Sequence, residues 1–459
     1  MDNSNNNQAI FKPASSVKGI RLKVSDDGRN IIDQNGKPFF YLADTAWTIF
    51  KRLNHDDVEL YLDNRVSKGF TVIQAYVLRG LEVPNPYGEF PLIDRDPTKF
   101  NEGFFSNVDY IVNRANEKGL VMGLVTCFGE HLRKGERIFS RHGKYEDVIN
   151  IDNAFEYGRI LSSRYKDNGV IWILGGDVPP IYILETWDAM ARGLKEGSGG
   201  KHLVSFHGPG GTSSSHWFHG CEWLDFNTIQ SGHSWAVPNY VFIDHDRHMT
   251  PVKPTLDMEP RYENHVDRNN ESRRMGADQS REAGYWAVFA GACGHGYGCN
   301  DIFQFSDETK TDSTADYSHT YLPPTANWRT AIDFGGAFGM GYLRKLMELR
   351  PWYLAEPDQS VIAAGMGRGE DHIQALRAKD GSFILAYLTF GNPVSIDMTK
   401  LSSRQVKAQW YDPRSGAFTL IGSRANTGTE TFTAPAGGAA NDWVLVLEDE
   451  GKQFPNELS

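Results

Sequence analysis

Two carboxylates stand where buried strands run out. Val170-Ile171-Trp172-Ile173-Leu174 is an unbroken apolar run, followed by Gly175-Gly176-Asp177 and then Pro179-Pro180. Such a run suits a strand covered on both faces, as in parallel sheets. The glycines permit a sharp change of direction, and the prolines cannot carry a ladder onward. Eighty-two residues after Asp177, the run Pro254-Thr255-Leu256-Asp257-Met258 leads in the same way to Glu259 and Pro260. Two carboxyls roughly 5–5.5 Å apart are what a retaining glycosidase needs, one as acid and then base, the other as nucleophile. Asp177 and Glu259 are therefore the candidate catalytic pair. The plainer alternative is that each merely caps its strand. The pairing at two strand ends, each closed by proline, favours chemistry over capping.

These two side chains can meet only if distant strands share a mouth, and the chain alternates strand and helix as that requires. Strands are expected at 39–47, 71–78, 120–127, 170–174, 202–207, 226–230, 252–257 and near 295–305, with helices at 55–68, 104–118, 153–166, 183–196, 278–292 and 330–350. Asp278 is expected to cap its helix. Eight strands over about 330 residues fit one (β/α)8 TIM barrel, residues 18–350. Turn signals at Asp27-Gly28 and Asn35-Gly36 add an N-terminal β-hairpin, and residues 1–17 are expected to be disordered. On this count Asp177 ends the fourth strand and Glu259 the seventh, both at the face where barrels keep their active sites.

Other strand ends offer hydroxyl-binding or stacking groups. Asp44 and Trp47 follow the first strand, Tyr76 the second, His131 the third and His207 the fifth. Gln230 and His233 follow the sixth, Tyr262 lies beyond the seventh, and Tyr297 lies in the eighth. These nine are the candidate substrate-binding residues. Trp235 is a further stacking candidate, and each aromatic could equally be core. Asp257 alternates with Glu259 and could face the barrel interior. The loops 80–101 and 303–328 should shape the leaving-group side.

After Pro351 the pattern changes. Short strands at 373–376, 383–388, 394–397, 405–411, 431–434 and 443–447, separated by turns such as Asp380-Gly381, read as a C-terminal antiparallel β-sandwich, residues 351–459.

Composition narrows the partners. A net charge of −11 argues against nucleic acid or an anionic membrane surface, which would favour clustered Lys and Arg. No apolar run is long enough for a membrane span. The first residues lack the apolar stretch of a signal peptide, which leaves open a secreted or periplasmic chain whose signal has been removed. Four cysteines form no zinc-binding spacing, and free buried thiols are expected, with one disulfide left open. No metal or cofactor is expected. Gly208-Pro209-Gly210-Gly211 lacks the Lys-Ser/Thr of a phosphate loop, and no nucleophile elbow occurs.

Phe40-Tyr41-Leu42-Ala43-Asp44-Thr45-Ala46-Trp47, Trp172 through Gly175-Gly176-Asp177, and Glu259-Pro260, followed by a β domain, resemble glycoside hydrolase family 140. The resemblance runs from about residue 19 through nearly the whole chain. It implies a clan A-type barrel and an apiosidase that cuts apiosyl linkages in plant pectin (rhamnogalacturonan II) or plant apiosides. It also implies Asp177 as acid/base and Glu259 as nucleophile. Clan A barrels usually carry Asn-Glu at the fourth strand end. Gly176-Asp177 departs from that and disfavours a generic cellulase or mannanase. The C-terminal part resembles modules labelled collagen-binding, although nothing in its residues speaks for collagen. Two alternatives remain: an endo-glycanase acting on xylan or mannan, and a non-catalytic carbohydrate-binding barrel.

Overall fold

The computed structural model describes residues 9–12, 15–132, 147–307 and 323–458, with the backbone of the strand pair 135–136 and 144–145. Eight parallel strands form the barrel: β1 (Tyr41–Thr45), β2 (Val72–Leu78), β3 (Val121–Cys127), β4 (Val170–Gly175), β5 (Val204–His207), β6 (Asn227–Gln230), β7 (Thr255–Asp257) and β8 (Gly294–Tyr297). Ladders join β6–β7–β8–β1–β2–β3–β4–β5 in that order, and an antiparallel strand, Thr212–Ser213, pairs with β6 as the ninth. The ring closes at β5 and β6 without a strand ladder. Side chains stitch this seam instead: Ser205 Oγ donates to the Phe226 carbonyl at 2.7 Å and Thr228 Oγ1 to that of Phe206 at 2.5 Å. The Asp225 N–H also reaches the Val204 carbonyl at 2.9 Å.

Alternation along each strand divides the apolar residues into two cores. Tyr41, Ala43, Val72, Val121, Ile171 and Ile173 fill the barrel interior, with Leu22 and Ile31 of the N-terminal hairpin in the same cluster. Leu42, Ile73, Met122, Trp172 and Leu174 face outward and pack under the helices α1 (His55–Ser67), α2 (Glu102–Glu117), α3 (Ala154–Arg164), α4 (Leu184–Ser198), α5 (Asn239–Arg247), α6 (Ala277–Phe289) and α7 (Gly335–Glu348). Local chemistry sets their ends. Asn54 accepts from the Asp57 N–H ahead of an acidic first turn, and Gly199 closes α4 in the left-handed conformation.

Several boundaries differ from the sequence expectation. Gly276, not Asp278, occupies the N-cap of α6, and Asp278 sits in its first turn. The eighth strand stops at Tyr297, and Asn300–Phe303 is a helical turn. The helix expected over 330–350 is two, Trp328–Ala331 and α7. The break has a cause: the Gly336 N–H, at the start of α7, donates to both oxygens of Glu263 at 3.0 Å. Part of the N-terminal stretch is anchored, since the Ile10 and Phe11 N–H groups meet the Ser67 carbonyl. Residues 1–8, 13 and 14 lie outside the described residues, as does much of the loop 303–328.

A six-stranded antiparallel sheet and a three-stranded sheet make the C-terminal sandwich. The sequence reading lacked the strands Ala355–Pro357, Ile362–Ala364 and Ala417–Ala425; the last is exposed along most of its length and shows no apolar alternation. The larger sheet lies against α6. Arg281 makes two hydrogen bonds with the Asp442 carboxylate, at 2.8 and 2.9 Å, and Tyr285 stacks on Tyr387. All four cysteines are free, and among the described residues no helix is long and apolar enough to cross a membrane.

Candidate active site

Asp177 reaches the mouth through a turn that few residues can make. Gly175 and Gly176 have φ of +93° and +122°, and Asp177 itself has +56°. A Cβ at Gly175 would fall on the His207 carbonyl oxygen, and one at Gly176 would lie 3.0 Å from the Tyr76 ring. The Gly176 N–H donates to that His207 carbonyl at 2.9 Å. Consecutive left-handed residues therefore lift the carboxyl off the strand line. The Asp177 Oδ1 has no hydrogen-bond partner among the described residues.

Glu259 is held in the opposite manner. It is buried, and three donors converge on it: His207 Nε2 at 2.7 Å on Oε2, with Gln230 Nε2 at 2.8 Å and His233 Nε2 at 3.0 Å on Oε1. The His233 ring packs against Tyr262 and His265, with centroids 4.5 and 4.2 Å away. Two residues past Glu259, Arg261 hydrogen-bonds Gln279 and Glu282 of α6, so the loop carrying the carboxylate is tied to the helix behind it. One carboxyl oxygen each of Asp177 and Glu259 and one ring nitrogen of His207 lie within 4.8 Å of one another.

The two carboxyls hold their protons differently. Burial and the facing charge of Glu259 raise Asp177, and the cations of His207 and Arg79 only partly offset this. Burial works against the charge of Glu259 too, but the hydrogen bonds from His207 and His233 hold it well below the usual carboxylate range. Burial would discharge His207, yet its bond to Glu259 and that residue's charge raise it to about 9. The His207 Nδ1 meets the Gly208 carbonyl at 2.8 Å, so both ring nitrogens face acceptors and both must carry protons. A pair of carboxyls whose environments drive their pKa values apart is the pattern of an acid and a nucleophile. The same three side chains could offer a divalent cation two oxygens and a nitrogen. That nitrogen, however, holds its proton against Glu259, and metal binding would have to displace it.

The structure brings together Asp177, Glu259, His207, Gln230 and His233. Trp47, Tyr76 and Tyr262 form a buried wall around them: the Trp47 ring lies 4.8 Å from Tyr76 and 5.7 Å from His207, and Tyr262 donates to Thr45 Oγ1. His131 is buried in the 3-10 turn after β3, and the Gly129 N–H of that turn donates to the Gly176 carbonyl. Two predicted site residues are elsewhere. Asp44 faces outward from β1 into the helix layer, where Tyr61 donates at 2.6 Å and Arg65 at 3.2 Å. Tyr297 also sits in that outer layer and donates to Glu263 at 2.6 Å. Both errors have one origin, since neighbouring strand residues face opposite ways. Asp257 likewise turns from the interior to Ser231 and Asn239, and burial raises it to about 6. Trp235 is covered by the Arg273 guanidinium, 4.3 Å from its ring. Arg79 escaped the sequence reading. It follows directly on β2, lies 3.5 Å from the Phe128 ring centroid and puts a positive charge near Asp177. Its position at a strand end was the available signal.

Fold and site together define a glycoside hydrolase built on a clan A-type (β/α)8 barrel. The family model of the apiosidase-like catalytic domain matches residues 25–354, and the chain belongs to that family. Residues 357–448 match the model of a collagen-binding-like domain of a collagenase. A solved glycoside hydrolase shares 31% identity over 97% of this chain and 100% of its own, with a TM-score of 0.86. A family 5 glycoside hydrolase from Bacteroides vulgatus is 32% identical over 97% and 96%, also with a TM-score of 0.86. No curated protein sequence matches the chain.

Proposed function

We propose that the chain is a retaining apiosidase that cleaves apiosyl linkages in plant pectin (rhamnogalacturonan II) or in plant apiosides. Asp177 protonates the leaving oxygen while Glu259 attacks the anomeric carbon. In the second half, Asp177 takes a proton from the water that releases the sugar from Glu259. The observation that carries this reading is the close approach of a raised Asp177 and a lowered Glu259, with oxygens within 4.8 Å of each other. So close a nearest approach fits the roughly 5–5.5 Å carboxyl spacing of direct attack better than the roughly 6.5–9.5 Å that leaves room for an intervening water. The apiosidase-like family match supports the sugar.

The test is release of apiose from rhamnogalacturonan II oligosaccharides and from an apiosylated flavonoid, with xylan and mannan in the same screen. An activated fluoro-apioside should leave a glycosyl adduct on the Glu259 peptide by mass spectrometry. Release from xylan or mannan alone would replace the apiosidase reading, and inverted product would replace the retaining one.

A further inference from the structure

The loop between β4 and α4 carries Asp177 at one end and an exposed aromatic at the other. The Ile183 N–H donates to the Pro180 carbonyl at 3.0 Å and closes a turn with Tyr182 at its third position. Tyr182 has a φ of +76° there, a conformation that turns of this kind usually give to glycine. The residue is 95% exposed, and Ile181 and Leu184 beside it are 50% and 42% exposed. Val178, earlier in the loop, is fully buried and packs against Gly129, so the base is pinned while the tip projects. A large aromatic in a conformation costly for any side chain, with no covering contact among the described residues, gains the fold nothing. It lies five positions after Asp177, which keeps it within about 18 Å along the chain.

We propose that Tyr182, with Ile181 and Leu184, is the platform on which the leaving group rests. This rests on Asp177 being the acid, because the acid stands on the leaving-group side of the scissile bond. The patch is apolar apart from one phenol hydroxyl. It therefore suits a flat aromatic leaving group, such as a phenolic glycoside presents, rather than a sugar that needs several hydrogen-bond partners.

The experiment compares wild type with Tyr182→Ala, Tyr182→Gly and Tyr182→Phe on an apiosylated flavonoid and on methyl apioside. Loss of the ring should lower kcat/KM on the flavonoid roughly three- to ten-fold, as expected for one stacking contact, and leave methyl apioside unchanged. Tyr182→Phe should retain wild-type discrimination. Tyr182→Gly should raise Tm while losing discrimination, which a merely structural tyrosine would not do. An equal loss on both substrates overturns the proposal, as does a change of oligomeric state in Tyr182→Ala without a change in discrimination. Should wild type hydrolyse neither apioside, the apiosidase reading falls by itself. The platform is then judged by calorimetric titration of phenolic glycosides into wild type and Tyr182→Ala, and equal affinity overturns it.

Discussion

His207 donates to Glu259 at 2.7 Å while its second nitrogen is committed to the Gly208 carbonyl, so the buried carboxylate is paired with an imidazolium. The pairing keeps Glu259 charged inside the barrel, where an unpaired carboxylate would take up a proton. Burial, and after it the charge of Glu259, raises Asp177 above the usual carboxylate range. On Asp177 the two members of the pair pull in opposite directions, the Glu259 charge raising it and the His207 cation lowering it, with burial the largest cause of the net rise.

Removing either carboxyl should separate the two roles. Asp177→Asn should lower kcat/KM by about 10²–10⁴ on substrates with poor leaving groups, the usual worth of a general acid. The same variant should lose far less kcat/KM on a dinitrophenyl glycoside, whose leaving group needs no proton. Glu259→Gln should lose both activities. In wild type, activity on poor leaving groups should fall as pH rises through the raised pKa of Asp177. A basic limb that survives in Asp177→Asn would reassign the acid.

The same ion pair predicts how stability follows pH. Folding raises His207 from near 6.5 to about 9. Its stabilisation, at most roughly 3 kcal/mol, is thus fully present below pH 6.5 and is lost as pH rises through 9. Glu259 is lowered, so its share is present above its ordinary range near 4.5 and is lost as pH falls further. Thermal melts should show a plateau between these limits and a decline on the alkaline side. His207→Asn should melt lower and lose most of that alkaline decline. An unchanged decline in the variant would place its origin in other groups.

The barrel was legible because β4 is apolar throughout, β2 and β3 are broken only by Gln74 and Thr126, and a helix follows each of the three. The meeting of Asp177 and Glu259, the proposed catalytic pair, was legible because Gly, Gly and Pro leave few structures open around them. Asp44 was misread for a physical reason. It ends a strand just as Asp177 does, but its facing depends on the register of β1 against the helices. Its partners there, Arg65 and Tyr61, lie in α1 and carry no mark of that pairing in the sequence. The break before α7 was hidden similarly, since Glu263, which binds its first turn, lies about 70 residues upstream.

Gly175 offers a direct test of the turn. Alanine there would need a left-handed φ and would set a methyl group on the His207 carbonyl. Strain of about 1–3 kcal/mol for the backbone and a similar amount for overpacking should destabilise the fold by roughly 2–6 kcal/mol. The displacement also reaches Asp177 and His207 together. Gly175→Ala should therefore lose activity even at temperatures where circular dichroism shows it folded. Wild-type turnover in this variant would mean that Asp177 does not depend on the turn.

Asp44 provides the opposite case, a carboxylate that should matter for stability and not for substrate. Asp44 and Arg65 form a fully buried pair. Taking the charge from one partner strands the other, which typically costs about 3–5 kcal/mol. Asp44→Asn keeps the shape and one acceptor for Tyr61, yet leaves the Arg65 guanidinium without its counter-charge. The variant should melt well below wild type, while its KM and its kcat per folded molecule stay within about two-fold, since no Asp44 atom faces the mouth. Replacing Arg65 by Met along with Asp44→Asn should restore part of the lost stability, because no lone buried charge then remains. A selective rise in KM for Asp44→Asn at unchanged Tm would return Asp44 to the substrate site and overturn the outward register of β1.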